Sequence, residues 1–300
     1  MGLPRIAALF VCAALAGCGN GGTPPSGSID PPAPPPAALG YSLRFFGTGS
    51  GDLDRVKIPL ADAGGASLPV NVGSGDFTIE FWIKGTLLDN PTTPCTPGQL
   101  PKDDWINGAI VIDRDVFGDG DYGDFGIALF GGRVAFGVAR GAGGATLCGA
   151  VNVLDGNWHH VAVTRRRADG EMKLFVDGVL DRQIPADTGT SLDVSYRVGR
   201  PTAYPQSDPF LVLGAEKHNL AGYKSFRGLL DELRLSTVVR YPGNFLRPTA
   251  PFVVDGNTAA LYHFDEGAGT AIADAAGASP GTLNPAAAGA AAHWSTDTPF

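Results

Sequence analysis

Positive charge is scarce in this chain. Its 300 residues carry 22 Lys and Arg against 30 Asp and Glu, a formal net charge of −8. Phosphate recognition needs clustered Lys and Arg, so the balance argues against nucleic acid as a partner. Long apolar runs are missing as well: the one candidate, Ile6 to Leu15, is too short to span a bilayer. Helical periodicity is lacking, with no convincing amphipathic helix before the Ala-rich tail. Familiar catalytic signatures are absent too. There is no P-loop, no Gly-x-Ser-x-Gly elbow, no His-Glu-x-x-His and, beyond the N-terminal region, no Cys-x-x-Cys. Two formal matches fail on context. "GDGDYG", Gly118 to Gly123, has dinucleotide-binding spacing, but a strand pattern follows it where a helix is required, and Asp119 and Asp121 would repel pyrophosphate. "DFG", Asp124 to Gly126, stands without any other kinase element.

Cysteine is sparse, at four residues, and each has a distinct setting. Arg5 precedes the apolar run, which has the shape of a signal-peptide core and ends in "LAGC", Leu15 to Cys18. That ending resembles a bacterial lipobox. The resemblance implies a signal peptide over residues 1–17, cleavage before Cys18, lipid on its thiol, and an address in the bacterial cell envelope, at the outer membrane or cell surface. Residues 18–40 are rich in Pro, Gly and Ser and can pack against almost nothing. They read as a disordered tether which, in polyproline II at about 3.1 Å per residue, reaches roughly 60 Å. Cys12 leaves with the signal and Cys18 carries lipid. Cys95 and Cys148 remain, and in an exported protein they are expected to form a disulfide.

From Tyr41 onward the sequence repeats with a period of two. Phe77, Ile79, Phe81 and Ile83 share one strand face, with Thr78, Glu80 and Lys84 on the other. "RVAFGVA", "HVAVT", "MKLFV" and "LLDELRL" are further short runs of Val, Leu and Phe bounded by Gly, Asp and Asn. High Gly and Pro content, 43 and 24 residues, suits such turns. The pattern predicts an all-β sandwich or barrel. Asp177-Gly178, between "KLFV" and "VLDRQI", predicts a two-residue type I′ hairpin. Adjacent strand residues face opposite ways, so His159 and His160 are not expected to share a ligand, and Arg165, Arg166 and Arg167 read as a solvated charge run at a hairpin end.

These segments also carry a resemblance. "FTIEFWIKG", "NWHHVAVTRRRADGEMKLFVDGVL", "LVLGAEKH" and "FRGLLDELRLS" resemble, in order and spacing, the successive strands of laminin-G-like domains in the concanavalin A-like lectin/glucanase superfamily. "LRFFGTGSGDLDRVKIP" is similar to that family's first strands. The resemblance implies a jelly-roll sandwich of two antiparallel sheets over residues 41–300, with 253–300 as edge strands of the same domain. It also implies a membrane-anchored, extracytoplasmic binding module for glycan or protein ligands. The alternatives are a carbohydrate-active enzyme, a glycoside hydrolase or lyase, and a structural envelope component. The superfamily's glucanases place catalytic carboxylates as Glu-x-Asp-x-(x)-Glu. This chain has five glutamates, Glu80, Glu171, Glu216, Glu232 and Glu266, and none falls in that spacing, so no catalytic residue carries over.

Two settings are candidates for structural calcium. "DRDVFGDGDYGD" places Asp113, Asp115, Asp119, Asp121 and Asp124 in one hairpin loop, which could supply the six to eight oxygens the ion takes. Asp54 and Asp231 fall in phase with inward-facing apolar neighbours, and a buried carboxylate must be hydrogen-bonded or bound to a cation. Calcium-binding members of the resembled family often use an aspartate near the strand that holds Asp231. Trp105, Tyr122, Tyr204 and Tyr223 lie in loop-like sequence, where a sandwich binds its ligands, and are the candidate ligand-stacking aromatics.

Overall fold

The computed structural model describes residues 40–117 and 123–300. The expected signal peptide, Cys18 and the expected tether up to residue 39, together with Asp119, Asp121 and Tyr122, lie outside the described residues. Strands dominate, joined by short turns. In chain order they are β1 (Ser42–Phe46), β2 (Arg55–Pro59), β3 (Phe77–Lys84), β4 (Gly98–Leu100), β5 (Ala109–Arg114), β6 (Gly123–Phe130), β7 (Arg133–Arg140), β8 (Gly143–Asn152) and β9 (His159–Arg165). There follow β10 (Met172–Val176), β11 (Val179–Ile184), β12 (Phe210–Leu213), β13 (Lys224–Ser225), β14 (Arg227–Ser236), β15 (Thr258–Tyr262), β16 (Ala271–Ile272), β17 (Gly281–Asn284) and β18 (Trp294–Ser295). Helix among the described residues is limited to two 3₁₀ turns, Asp104–Asn107 and Ala290–His293, and no helix there is long and apolar enough to cross a membrane.

Two sheets form the sandwich. The first runs β11-β10-β9-β3-β14-β1-β18, with β15 following β1 along the same side of β14. The second runs β16-β17-β2-β12-β5-β6-β7-β8-β4. Every pairing is antiparallel except that of the two-residue β13 with β5. The Asp177-Gly178 turn closes β10 onto β11 with φ of 51° and 80°, the left-handed pair a type I′ loop requires. The tail enters both sheets: β15 and β18 pair with β14 and β1, while β16 and β17 extend the second sheet beside β2.

Alternation builds the core. Phe77, Ile79, Phe81 and Ile83 of β3 point between the sheets and are fully buried, meeting Phe125 of β6 and Phe136 of β7. The Phe77 ring lies 5.3 and 6.1 Å from theirs, so aromatic contacts lock one sheet to the other. Removing each such ring from water is worth about 2–3 kcal/mol.

One outer face is also covered and the other is covered in part, which the alternation did not suggest. On the first sheet the chain over residues 237–254 lies across Glu80, Trp82 and His160. Glu80 is fully buried and accepts from Arg234 Nε at 2.9 Å, from Tyr241 Oη at 2.7 Å and from His160 Nε2 at 3.3 Å. Burial opposes its charge, but His160 and Arg234 outweigh that and hold its carboxyl below the usual range. Arg165 is likewise not solvated: it is fully buried and donates to the carbonyls of Gly73, Gly75, Thr190 and Leu192. Burial pulls its guanidinium down to about 10. The expected solvated run reduces to Arg166 and Arg167.

On the second sheet the covering group is Trp105. It is 1% exposed and packs over Gly126 and Gly137, register partners on β6 and β7. A Cβ at either glycine would sit 2.1 or 1.9 Å from the indole, so only this glycine pair leaves a slot for it. Trp105 is therefore a structural plug and not an exposed ligand-stacking residue. Cys95 and Cys148 are joined, with Cα atoms 6.3 Å apart, and the bridge ties the segment carrying the plug to β8. Closing a loop of this size is worth about 4 kcal/mol in the chain-entropy account. Urea unfolding with and without reductant should show a loss of that order, with Trp fluorescence shifting red as the plug lifts. An unchanged midpoint would show that the bridge is not what holds the segment.

Candidate functional site

With one broad face covered and the other plugged in part by Trp105, the loops at the rims come into view. At one rim three loops converge: 47–51 after β1, 89–91 after β3, and 216–225 between β12 and β14. They enclose a cleft of about 530 Å³. The first loop is built by glycine. Gly47, Gly49 and Gly51 have φ of 73°, 41° and 67°, and a Cβ at Gly49 would fall on Ser225 Oγ.

Buried charges shape these loops from below. Asp54 is fully buried, and its carboxylate accepts from Phe46 N at 3.0 Å, Thr48 N at 2.9 Å and Thr48 Oγ1 at 3.1 Å. Of the two readings open for a buried carboxylate here, cation ligand or hydrogen-bond acceptor, the geometry is the second: Asp54 is committed to the turn that starts the first loop. Beside it, fully buried Arg55 donates to the carbonyls of Leu53, Gly49 and Glu216, the last at 2.8 Å. The Glu216 carboxylate accepts from the backbone N–H of His218 and of Leu220, both at 2.8 Å, and so folds 216–220 into a tight turn.

Behind the turn lies an ion network. His218 contacts Glu216 through Nδ1 at 3.0 Å and Asp208 through Nε2 at 2.7 Å, with its side chain fully buried. Burial works against its charge, but the two carboxylates outweigh it and lift His218 to about 9. Both ring nitrogens are engaged, so it is an internal cation with no nitrogen left to act as a base. Lys217, fully buried, is drawn down to about 8 by burial against the attraction of Asp113. Asp113 accepts from Asp115 N at 2.8 Å and Lys217 N at 3.0 Å. Asp115 rises to about 6, from burial and then the Asp113 charge, and Asp124 to about 7, from burial and then Asp115. Tyr204 packs into this cluster, its ring 4.4 Å from Phe117 and 5.2 Å from His218.

Asp231 lies elsewhere, at a bulge in β14 where Glu232 takes φ of 50°. It is 4% exposed, and burial followed by the Glu232 charge pushes its carboxyl up to about 9. Among the described residues no three His, Cys, Asp or Glu side chains are placed to hold a metal ion. Of the candidate aromatics, Tyr223 alone among the described ones lines the cleft, at 37% exposure. The glycine loop and the Arg55 floor were not foreseen. The cluster "GTGSG", Gly47 to Gly51, was their visible signal in the sequence.

These groups fix a pH dependence. Asp115, Asp124, Asp231 and His218 bind a proton more tightly folded than unfolded. Each therefore contributes stability at low pH that is withdrawn as pH rises, Asp115 and Asp124 between about 4 and 7, Asp231 and His218 up to about 9. Lys217, lowered, acts oppositely above about 8. Carboxylates held low, such as Asp208 and Glu216, matter only below about pH 4. The melting temperature should fall from about pH 5.5 to about pH 8, and Asp231→Asn should flatten the upper part of that fall. A melting temperature that rises over this interval would contradict the assignment.

A laminin-G-type family model, described as concanavalin A-like lectin/glucanases superfamily, matches residues 60–243, more than half of the chain. A candidate carbohydrate-binding protein from Bacteroides ovatus superposes with a TM-score of 0.50 at 17% identity, over 82% of this chain and 58% of that one. This chain thus spans less than two thirds of that protein's length. A heptameric SAP-like pentraxin from Limulus polyphemus gives 0.39 at 14% identity, over 74% of this chain and 94% of that one. The CBM40 of a Ruminococcus gnavus IT-sialidase, bound to α2,3-sialyllactose, gives 0.42 at 16% identity, over 68% and 95%. At 17% identity the likeness to the Bacteroides ovatus protein is one of fold. Two antiparallel sheets, the strand order and the family match together place this chain in the laminin-G-like branch of the concanavalin A-like lectin/glucanases superfamily.

Proposed function

We propose that this protein is an extracytoplasmic binding module that holds a glycan in the rim cleft, carried on a tether lipidated at Cys18, without catalysing a reaction on its ligand. The observation that carries the reading is the lining of the cleft. Tyr223 offers an exposed ring, and the side chains of Ser50, Asn219 and Tyr223 make no hydrogen bond among the described residues. An aromatic face beside unspent hydroxyl and amide groups suits a ligand that presents both C–H surfaces and hydroxyls. The rim loops are held by buried groups, so little ordering entropy is lost on binding. By analogy of fold, the similar Bacteroides ovatus protein, itself a candidate carbohydrate-binding protein, is consistent with this reading.

Several features favour binding over chemistry. The Glu216 carboxylate, one of two acids lining the cleft, is spent on its own turn and on His218. Asp89, the other acid lining the cleft, lies 3.4 Å from Arg227. Neither is poised as one of a pair across a glycosidic bond.

A glycan array should identify a ligand, and Tyr223→Ala should weaken it about tenfold or more, the loss of roughly 1–2 kcal/mol. Chelator should leave the affinity unchanged, because the contacts are hydroxyl, amide and ring. Release of reducing ends from any bound polysaccharide would overturn the non-catalytic reading. For the anchor, Cys18→Ser should move the protein from the membrane fraction to the soluble one. A variant that still partitions into detergent like the wild type would refute lipidation there.

A further inference from the structure

A second cleft of about 430 Å³ adjoins the first. The two share a wall. Asp89, Asn90 and Pro91 line the first cleft, and the chain continues directly as Thr92 to Thr96 along the second. They also share Lys224, which lines both and is the only cation lining either among the described residues. Its ammonium donates to the Pro91 carbonyl at the junction and has no ion-pair partner among the described residues, so it keeps further N–H groups to offer.

The shared wall is rigid. Thr92 Oγ1 donates to the Leu129 carbonyl at 3.0 Å and accepts from Gly131 N at 2.8 Å. Arg133 donates to the Cys95 carbonyl at 2.5 Å, and the disulfide fixes Cys95 to β8. Asn90 ties the near end, donating to the Arg227 carbonyl at 2.8 Å and accepting from Arg227 N at 2.9 Å. Along the second cleft, Thr93, Thr96 and Asp104 make no side-chain hydrogen bond among the described residues, just as Ser50, Asn219 and Tyr223 make none in the first.

Either volume alone is in the range of an ordinary small-ligand site, roughly 300–1,000 Å³. Two such clefts meeting along one wall, each lined by unspent polar groups and joined at a lysine with spare donors, form a trough. We propose that the ligand is a linear oligosaccharide that lies along this trough, its first units beside Tyr223, an oxygen acceptor at Lys224 and its later units between Thr96 and Asp104. The proposal rests on the glycan reading of the first cleft and adds to it the length of the chain recognised and the direction in which it runs.

Calorimetric titration with oligosaccharides of increasing length tests it. Suitable probes are neutral gluco-, xylo- and manno-oligosaccharides and oligogalacturonides, each from two to eight units, starting with whichever series the array identifies. Affinity should rise at least tenfold from the shortest member that binds to about six units and then level off. Asp104→Ala and Thr96→Ala, at side chains with no bond to lose, should keep the wild-type melting temperature and the affinity for the shortest member while removing the gain with length. Tyr223→Ala should weaken every length alike. Affinity independent of length, or a gain that survives both second-cleft substitutions, would overturn the trough and leave the first cleft standing. Failure of every length to bind would overturn both.

Discussion

The rim depends on how one buried arginine meets its hydrogen-bonding needs. Arg55 follows a sharp turn at Asp54, where φ is 55°, and its side chain is fully buried. A guanidinium out of water must find acceptors or cost several kcal/mol. Arg55 finds them on two different loops, the carbonyls of Gly49 and of Glu216, so satisfying one charge clamps the glycine loop to the turn after β12. Burial lowers its pKa, and Asp52, Glu216, Asp113 and Asp54 together oppose that effect. Glu216 in turn holds His218, and His218 holds Asp208. The cleft is the surface of this chain of obligations, and its shape is inherited from groups no ligand would touch.

Coverage of the outer faces is the second constraint. A sandwich of this kind could present either broad sheet face to a ligand. Here the 237–254 segment occupies one, over Glu80 and Trp82, and Trp105 occupies part of the other, over paired glycines. Binding is thereby moved to loops, which a rigid scaffold can hold at low entropic cost.

Much of the fold was legible because strand pattern and turn chemistry are local. Phe77 to Ile83 alternate, Asp177-Gly178 demands φ > 0, and the structure follows both. What was not legible depended on distant partners. Glu80 could be placed only on the strand face away from the core, and nothing local shows that Arg234 and Tyr241, more than 150 positions on, bury it. Trp105 read as an exposed loop aromatic, because nothing local announces that Gly126 and Gly137 pair across two strands to receive it. Arg165 read as solvated, and its four carbonyl partners come from two separate loops. Asp54 was rightly placed inside, but whether a cation or three backbone and hydroxyl donors met it could be decided only once the turn was seen. In the cleft, Tyr223 could be picked out as a candidate aromatic, whereas the floor beneath it could not.

The central claim is that ligand enters at the rim formed by loops 47–51, 89–96 and 216–225. Hydrogen–deuterium exchange on the free protein and on its complex with an array-positive oligosaccharide tests this most directly. Protection should be confined to those three loops and to the 100–107 segment that lines the second cleft, with the outer face over Glu80 and the strands beneath Trp105 exchanging as before. Protection centred on either broad face, or on β6 and β7 beneath Trp105, would contradict it.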